Sequence, residues 1–187
     1  MCLRVIVLGA FLETIELCEL CGYEIVGIID NEVKKSFSGY PILGRDADKF
    51  SLVKEFNNVS LVNGPDSSII KKKLYDDYRS AGFPFATVIS PKAYISKSAF
   101  IDEGCIIQSG VTVSSNVHIG KCCKLNFNCT IMHDVHINDY SILAPNSVVL
   151  GRSHIGEGVY IGASATVNHD TNVEDSVIIP SAYFYSK

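Results

Sequence analysis

From residue 95 to residue 179 an aliphatic side chain recurs at every sixth position without a gap, and nothing else in these 187 residues constrains the fold as much. The series is Ile95, Ile101, Ile107, Val113, Ile119, Leu125, Ile131, Ile137, Leu143, Val149, Ile155, Ile161, Val167, Val173 and Ile179. Two residues ahead of each stands a small or β-branched residue, as at Ala99, Cys105, Val111, Cys129, Ser141 and Ala165. Six is neither the period of a helix nor the simple alternation of a surface strand. It calls for one short strand and one turn per repeat, with both positions pointing inward. Such units bury a core only by stacking, with coils ~4.8 Å apart. The segment from about Tyr94 to Ile179 therefore reads as a parallel β-helix. Gly120, Asn126, Asn138, Gly156, Gly162 and Asn168 follow the aliphatic position and are expected to take positive φ at corners.

The first half follows a different pattern. An apolar strand at Arg4 to Leu8, a helical stretch at Leu12 to Cys21 and a second strand at Glu24 to Asp30 form a βαβ unit, punctuated by Gly9 and Gly22. A strand at Val59 to Asn63, a helix at Ser67 to Ser80 and a strand near Phe85 to Ile89 complete a small parallel sheet. The expected division is residues 1–84 and 85–187. The run Lys71 to Lys73 reads as a solvated helix face.

Composition narrows the partners. Sixteen basic against twenty acidic residues, a formal charge of -4 and a pI near 5.7 offer no broad attraction to nucleic acid or anionic lipid. No apolar run approaches membrane length, and Met1 to Leu8 lacks the pattern of a cleavable signal, so a cytoplasmic protein with a small-molecule partner is expected. The seven cysteines, Cys2, Cys18, Cys21, Cys105, Cys122, Cys123 and Cys129, are an odd number in apolar surroundings and read as free thiols. Cys18 and Cys21 form a lone C-x-x-C inside a helix, which reads as buried packing rather than a metal or redox pair.

The segment from Asn126 through His133-Asp134 to Tyr140, continuing through Leu143-Ala144-Pro145-Asn146 to Gly151 and Ile155-Gly156-Glu157-Gly158-Val159-Tyr160-Ile161-Gly162-Ala163, resembles the hexapeptide-repeat transferases. More narrowly, the whole chain is similar to bacterial sugar N-acyltransferases of the PglD and NeuD type. That resemblance implies an α/β Rossmann-like domain followed by an all-β left-handed parallel β-helix with eighteen residues per coil. The left hand comes from the resemblance alone, since parallel crossovers are normally right-handed. It further implies a homotrimer that transfers acetyl from acetyl-CoA, as co-substrate and without metal, to a nucleotide-linked amino sugar, UDP-linked foremost.

In the terms of that family, His133 is the base and Asp134 its orienting carboxylate, a suitable pair because the amine must lose a proton as it attacks a thioester. Asn126 would position the substrate. Gly151 would offer a backbone amide to the thioester oxygen, and eighteen residues per coil sets it directly above His133. Ile161, Gly162 and Ala163 are candidates to line the coenzyme groove, and His169, two coils beyond His133 on the Gly151 column, is a further candidate to approach the coenzyme. Ile142 occupies the place of a second histidine that assists coenzyme binding in the family. Gly9, Ala10, Asp30, Asn31, Asn63 and Gly64 match positions that contact the nucleotide. In the first turn, however, Gly9-Ala10-Phe11-Leu12-Glu13-Thr14 keeps only one glycine, with Phe11 and Leu12 blocking backbone approach and Glu13 opposing a pyrophosphate.

Three alternatives remain open at this level. The altered loop suits O-acetylation or a non-nucleotide acceptor, and equally a trimeric scaffold whose first half has lost its ligand. The same register stacks His118, His136 and His154, which invites a metal site but reads first as a polar outer face.

Overall fold

The computed structural model describes residues 3–33 and 35–186; Cys2 lies outside them. The first half is a mostly parallel five-stranded sheet. Its elements are β1 (Arg4–Leu8), α1 (Leu12–Leu20), β2 (Glu24–Ile29), β3 (Ser36–Phe37), β4 (Tyr40–Gly44), α2 (Lys49–Glu55), β5 (Ser60–Asn63) and α3 (Ser68–Ala81). The sheet order is β3-β4-β2-β1-β5, with β1 lying between β2 and β5 and parallel to both. Val5, Ile6, Val7 and Leu8 are all buried, as a strand covered on both faces requires. The hairpin β3–β4 extends the sheet beyond β2 and is followed by α2, and period alone reveals neither. Ser67 caps α3 by accepting from the N–H of Ile70, and Gly82 ends the helix at φ 103, a backbone angle that favours glycine.

From β6 (Val88–Ile89) to β22 (Phe184–Tyr185) the described chain is a run of two-residue strands spaced by six, stacked in parallel into three sheets. The repeat thus starts one strand before residue 95 and ends one after residue 179, with Ile89 and Tyr185 packing on the same core. The expected strand near Phe85 to Ile89 is divided between the halves. Phe85 bridges Leu61 in the first sheet, while Val88 and Ile89 pair with Ile106 and Ile107 in the solenoid.

The stack has three outer faces. The first carries Val88, Ile106, Lys124, Ile142, Tyr160 and Ile178; the second Tyr94, Thr112, Thr130, Val148, Thr166 and Phe184; the third Phe100, His118, His136, His154 and Asn172. The inward aliphatic series and the small residues ahead of it form one continuous core. Where those small residues are polar they cap carbonyls inside the tube. Cys105, Cys123 and Ser141 donate to the carbonyls of Gly120, Asn138 and Gly156 at 3.0, 3.1 and 2.9 Å. Burial pushes the Cys105 and Cys129 thiols up, so they stay protonated donors.

The corners correct one expectation. Positive φ falls three residues after the aliphatic position, not one, at Asn116, Cys122, Asn128, Asp134, Tyr140, Asn146, Arg152, Gly158, Ser164, Asp170, Ser176 and Ala182. The glycines one residue after it serve close stacking instead. A Cβ on Gly156 would stand 2.6 Å from the backbone nitrogen of Asp175 in the next coil.

The first half packs on the first outer face. Ile106 joins the cluster of Val5, Val7 and Val62, while Cys122 and Tyr140 join that of Ile6, Leu61 and Tyr75. Tyr75 reaches across to donate to Glu103 at 2.6 Å. Of the lysine run, Lys72 and Lys73 are exposed as expected, but Lys71 is fully buried and donates from Nζ to the carbonyl of Asn63 at 2.7 Å. Burial lowers its ammonium to about 8. The C-x-x-C is packing: Cys18 is buried, which pushes its thiol up to about 12.

Candidate active site

His133 and Asp134 occupy the corner between the second and third faces. Asp134 has φ 59, a conformation that Asp tolerates better than most residues, and its carboxylate turns back on the preceding ring. Its Oδ2 lies 2.8 Å from His133 Nδ1 and its Oδ1 accepts from Asn116 Nδ2 at 3.1 Å. Those two partners, His133 foremost, hold the Asp134 carboxyl below its ordinary value. A charged acceptor at Nδ1 keeps the proton there and leaves Nε2 free as a base.

One coil on, Gly151 lies over the ring, as the register predicts. A Cβ on Gly151 would stand 2.8 Å from His133 Cε1 and 2.9 Å from Nε2. The imidazole therefore occupies the space that any other residue would need. The carbonyl of His133 accepts from the N–H of Arg152 at 3.1 Å, locking the two coils in this register. No backbone acceptor takes the N–H of Gly151 among the described residues.

Two coils beyond His133 the corner repeats. His169 Nδ1 lies 2.8 Å from Asp170 Oδ2, and Asp170, at φ 54, takes both the Nε and an Nη of Arg152 at 2.6 and 2.7 Å. The arginine foremost, then His169, depresses the Asp170 carboxyl. On the third face His118, His136 and His154 stack as expected, with ring centroids 5.8 and 5.0 Å apart and planes within 17° and 11°. Face-to-face rings direct their nitrogens sideways, not toward a shared point. Among the described residues no group of three or more His, Cys, Asp or Glu is arranged to hold a metal ion.

The other candidates fall elsewhere. Asn126 is at the corner between the first and second faces, its Nδ2 donating to the carbonyl of Leu143 at 3.0 Å. Gly162 and Ala163 continue that corner, and Ile161 points into the core, so only its backbone can line a groove. Ile142 is on the first face, where it lines a cleft of about 400 Å³ against the start of α3 with Ile69, Lys72, Tyr140, Tyr160 and Ile178. Within one chain, then, the coenzyme candidates other than Gly151 and His169 do not meet His133.

The nucleotide candidates gather at the carboxyl ends of β1, β2 and β5. Gly9, Asp30 and Asn31 line a crevice of about 320 Å³ with Phe11, Glu32, Asp46 and Pro65. Burial pushes Asp30 up, but hydrogen bonds from the N–H groups of Val33, Glu32 and Ala10 outweigh it and hold the carboxyl below its ordinary value. Ala10 thus serves this turn through its backbone. Asn63 is buried and donates from Nδ2 to the carbonyl of Lys71 at 2.9 Å. The ring of Phe11 covers both Gly9 and Gly64, so that a side chain on either would collide with it. Glu13 does not face the crevice; it accepts from Gln108 at 2.9 Å on the solenoid.

A stack of six-residue coils joined to a small α/β sheet, with a His-Asp pair beneath a bare glycine, defines a hexapeptide-repeat protein of two parts. Residues 89–186 match the family described as the GMPPB C-terminal domain, and the chain belongs to that family. No curated protein matches it by sequence. Among solved structures, the acetyltransferase domain of PglB from Neisseria gonorrhoeae FA1090 in complex with acetyl coenzyme A aligns at 22% identity and TM-score 0.90, over 100% of this chain and 92% of that one. PerB from Caulobacter crescentus in complex with CoA and GDP-perosamine aligns at 23% identity and TM-score 0.79, covering 95% and 91%. WeeI from Acinetobacter baumannii AYE aligns at 23% identity and TM-score 0.68, covering 95% and 94%. The resemblance drawn from the repeats is borne out at the level of fold. Among the described residues no helix is long and apolar enough to cross a membrane.

Proposed function

We propose that the protein is an acetyl-CoA-dependent N-acetyltransferase acting on a nucleotide-linked amino sugar in the cytoplasm. The observation that carries this reading is the His133–Asp134 pair seated beneath Gly151. It is supported by similarity in fold to PglB, solved with acetyl coenzyme A, and to PerB, solved with CoA and GDP-perosamine. In this reading residues 1–84 are a Rossmann-like acceptor domain and residues 85–187 a left-handed β-helix. His133 Nε2 takes a proton from the acceptor amine as its nitrogen bonds to the acetyl carbon. The tetrahedral oxyanion faces the N–H of Gly151, the carbon–sulfur bond breaks, and the imidazolium returns its proton to the departing thiolate. Asp134 holds the ring and favours its charged form.

A trimer fits this scheme. His133 lies at the corner opposite the first face, so the cleft beside Ile142 and the corner at Gly162 and Ala163 reach it only from a second copy. Release of free thiol from acetyl-CoA, measured over UDP-, dTDP- and GDP-linked amino sugars, tests the reading. Turnover with at least one of them, abolished in His133→Ala, is expected; no turnover, or full activity of that variant, overturns it.

The crevice favours a second reading, transfer to a non-nucleotide acceptor. Phe11 covers both glycines and the lining carries Asp30, Glu32 and Asp46, with no lysine or arginine among the described lining residues. Competition by UDP distinguishes the two, since only a nucleotide-binding crevice is inhibited.

A further inference from the structure

The chemistry at His133 leaves the buried ammonium of Lys124 unused. Lys124 stands in the outward column of the first face between Ile106 and Ile142, and its side chain is 2% exposed. An ammonium so buried persists only when paired. Its partners come from two separate turns of the first half: Asp66 Oδ1 at 2.6 Å and Glu13 Oε1 at 3.6 Å. Asp66 lies between β5 and α3, and Glu13 in the first turn of α1, just after β1. These are the turns that border the crevice, through Gly9 and Phe11 on one side and Pro65 and Ile70 on the other. One ammonium on the solenoid thus ties down both lips of the crevice. Gln108, one coil away, adds a neutral hydrogen bond to the Glu13 carboxylate. The two carboxylates are about half exposed and can exchange the lysine for water, whereas Lys124 is enclosed. Lys124 also belongs to the same coil as His133, nine residues and half a turn away.

We propose that Lys124 is a positioning residue that holds the two turns around the acceptor crevice in fixed register with the catalytic coil. This rests on the crevice being the acceptor site, and two readouts separate the claims. Amide hydrogen exchange reads the tie without any substrate. Lys124→Met is expected to speed exchange at least about tenfold over residues 9–16 and 63–70, while the coils from residue 130 to residue 170 keep their protection. Asp66→Asn should loosen only the second segment and Glu13→Gln only the first, which keeps the test decisive if Lys124→Met unfolds. Unchanged exchange in both segments of the single-carboxylate variants overturns the proposal, as does equal loosening of the whole chain. Steady-state kinetics reads the acceptor role. With an acceptor that the wild type turns over, Glu13→Gln and Lys124→Met should raise its KM several-fold and leave the KM for acetyl-CoA unchanged. Equal rises in both, or an unchanged acceptor KM, overturn the positioning role. Loosened turns in an enzyme that turns over no amino sugar would instead count against the proposed activity.

Discussion

Two histidine–aspartate pairs occupy the same corner of the solenoid, two coils apart, with the same 2.8 Å contact between Nδ1 and Oδ2. Both aspartates sit at positive φ, so the contact is a product of corner geometry and by itself marks no active site. The pairs differ in their neighbours. Asp134 takes one neutral donor from Asn116, and the His133 ring lies under a residue with no side chain. Asp170 is clamped by both arms of Arg152, and the His169 side chain is 62% exposed against 43% for His133. What separates a candidate base from a surface ion pair is therefore the single bare glycine, Gly151, set against its ring and the charge left on its carboxylate.

Substitutions should divide the two pairs by size of effect. His133→Ala removes the proposed base and is expected to lower kcat about a thousandfold. Gly151→Ala adds a methyl group within 3 Å of the ring and should cost on the order of a hundredfold by displacing Nε2, with the fold intact by circular dichroism. Asp134→Asn, which keeps the shape but not the charge, should lower kcat without abolishing turnover. His169→Ala should leave kcat within about threefold and act only on the KM for acetyl-CoA; a loss matching that of His133→Ala would erase the distinction.

The stacked histidines give a smaller, pH-dependent effect. Burial foremost, then His154 and His118, holds His136 below its ordinary 6.5, with Asp134 opposing. The unfolded chain therefore binds this proton first as pH falls, and stability is lost from about pH 6.5 downward through the folded value. Thermal melts across that range should show a shallower decline in His136→Gln than in the wild type.

The sequence carries the solenoid almost whole, because a stack with one inward aliphatic per repeat writes its register into the chain. Spacing alone then puts Gly151 on His133 and stacks the three histidines. Corner chemistry is less legible, since a glycine needed for close stacking and one needed for positive φ look alike. Residues 31–58 hide a tight hairpin with a two-residue first strand and a seven-residue helix, all too short to show a period. Val88 and Ile89 suit either sheet, and only the packing of the two halves assigns them. Glu13 reads from sequence as a charge opposing a phosphate because its partner Gln108 is 95 residues away. Lys124 had a usable signal: a lysine in a column of Ile106, Ile142 and Tyr160 marks a covered face and a buried charge.

The most direct test of the account is the position of acetyl-CoA soaked into crystals of the protein. The thioester oxygen is expected about 3 Å from the N–H of Gly151, with the acetyl carbon open to an amine within reach of His133 Nε2. A thioester bound beside His169 and Asp170, or away from this corner altogether, would contradict it.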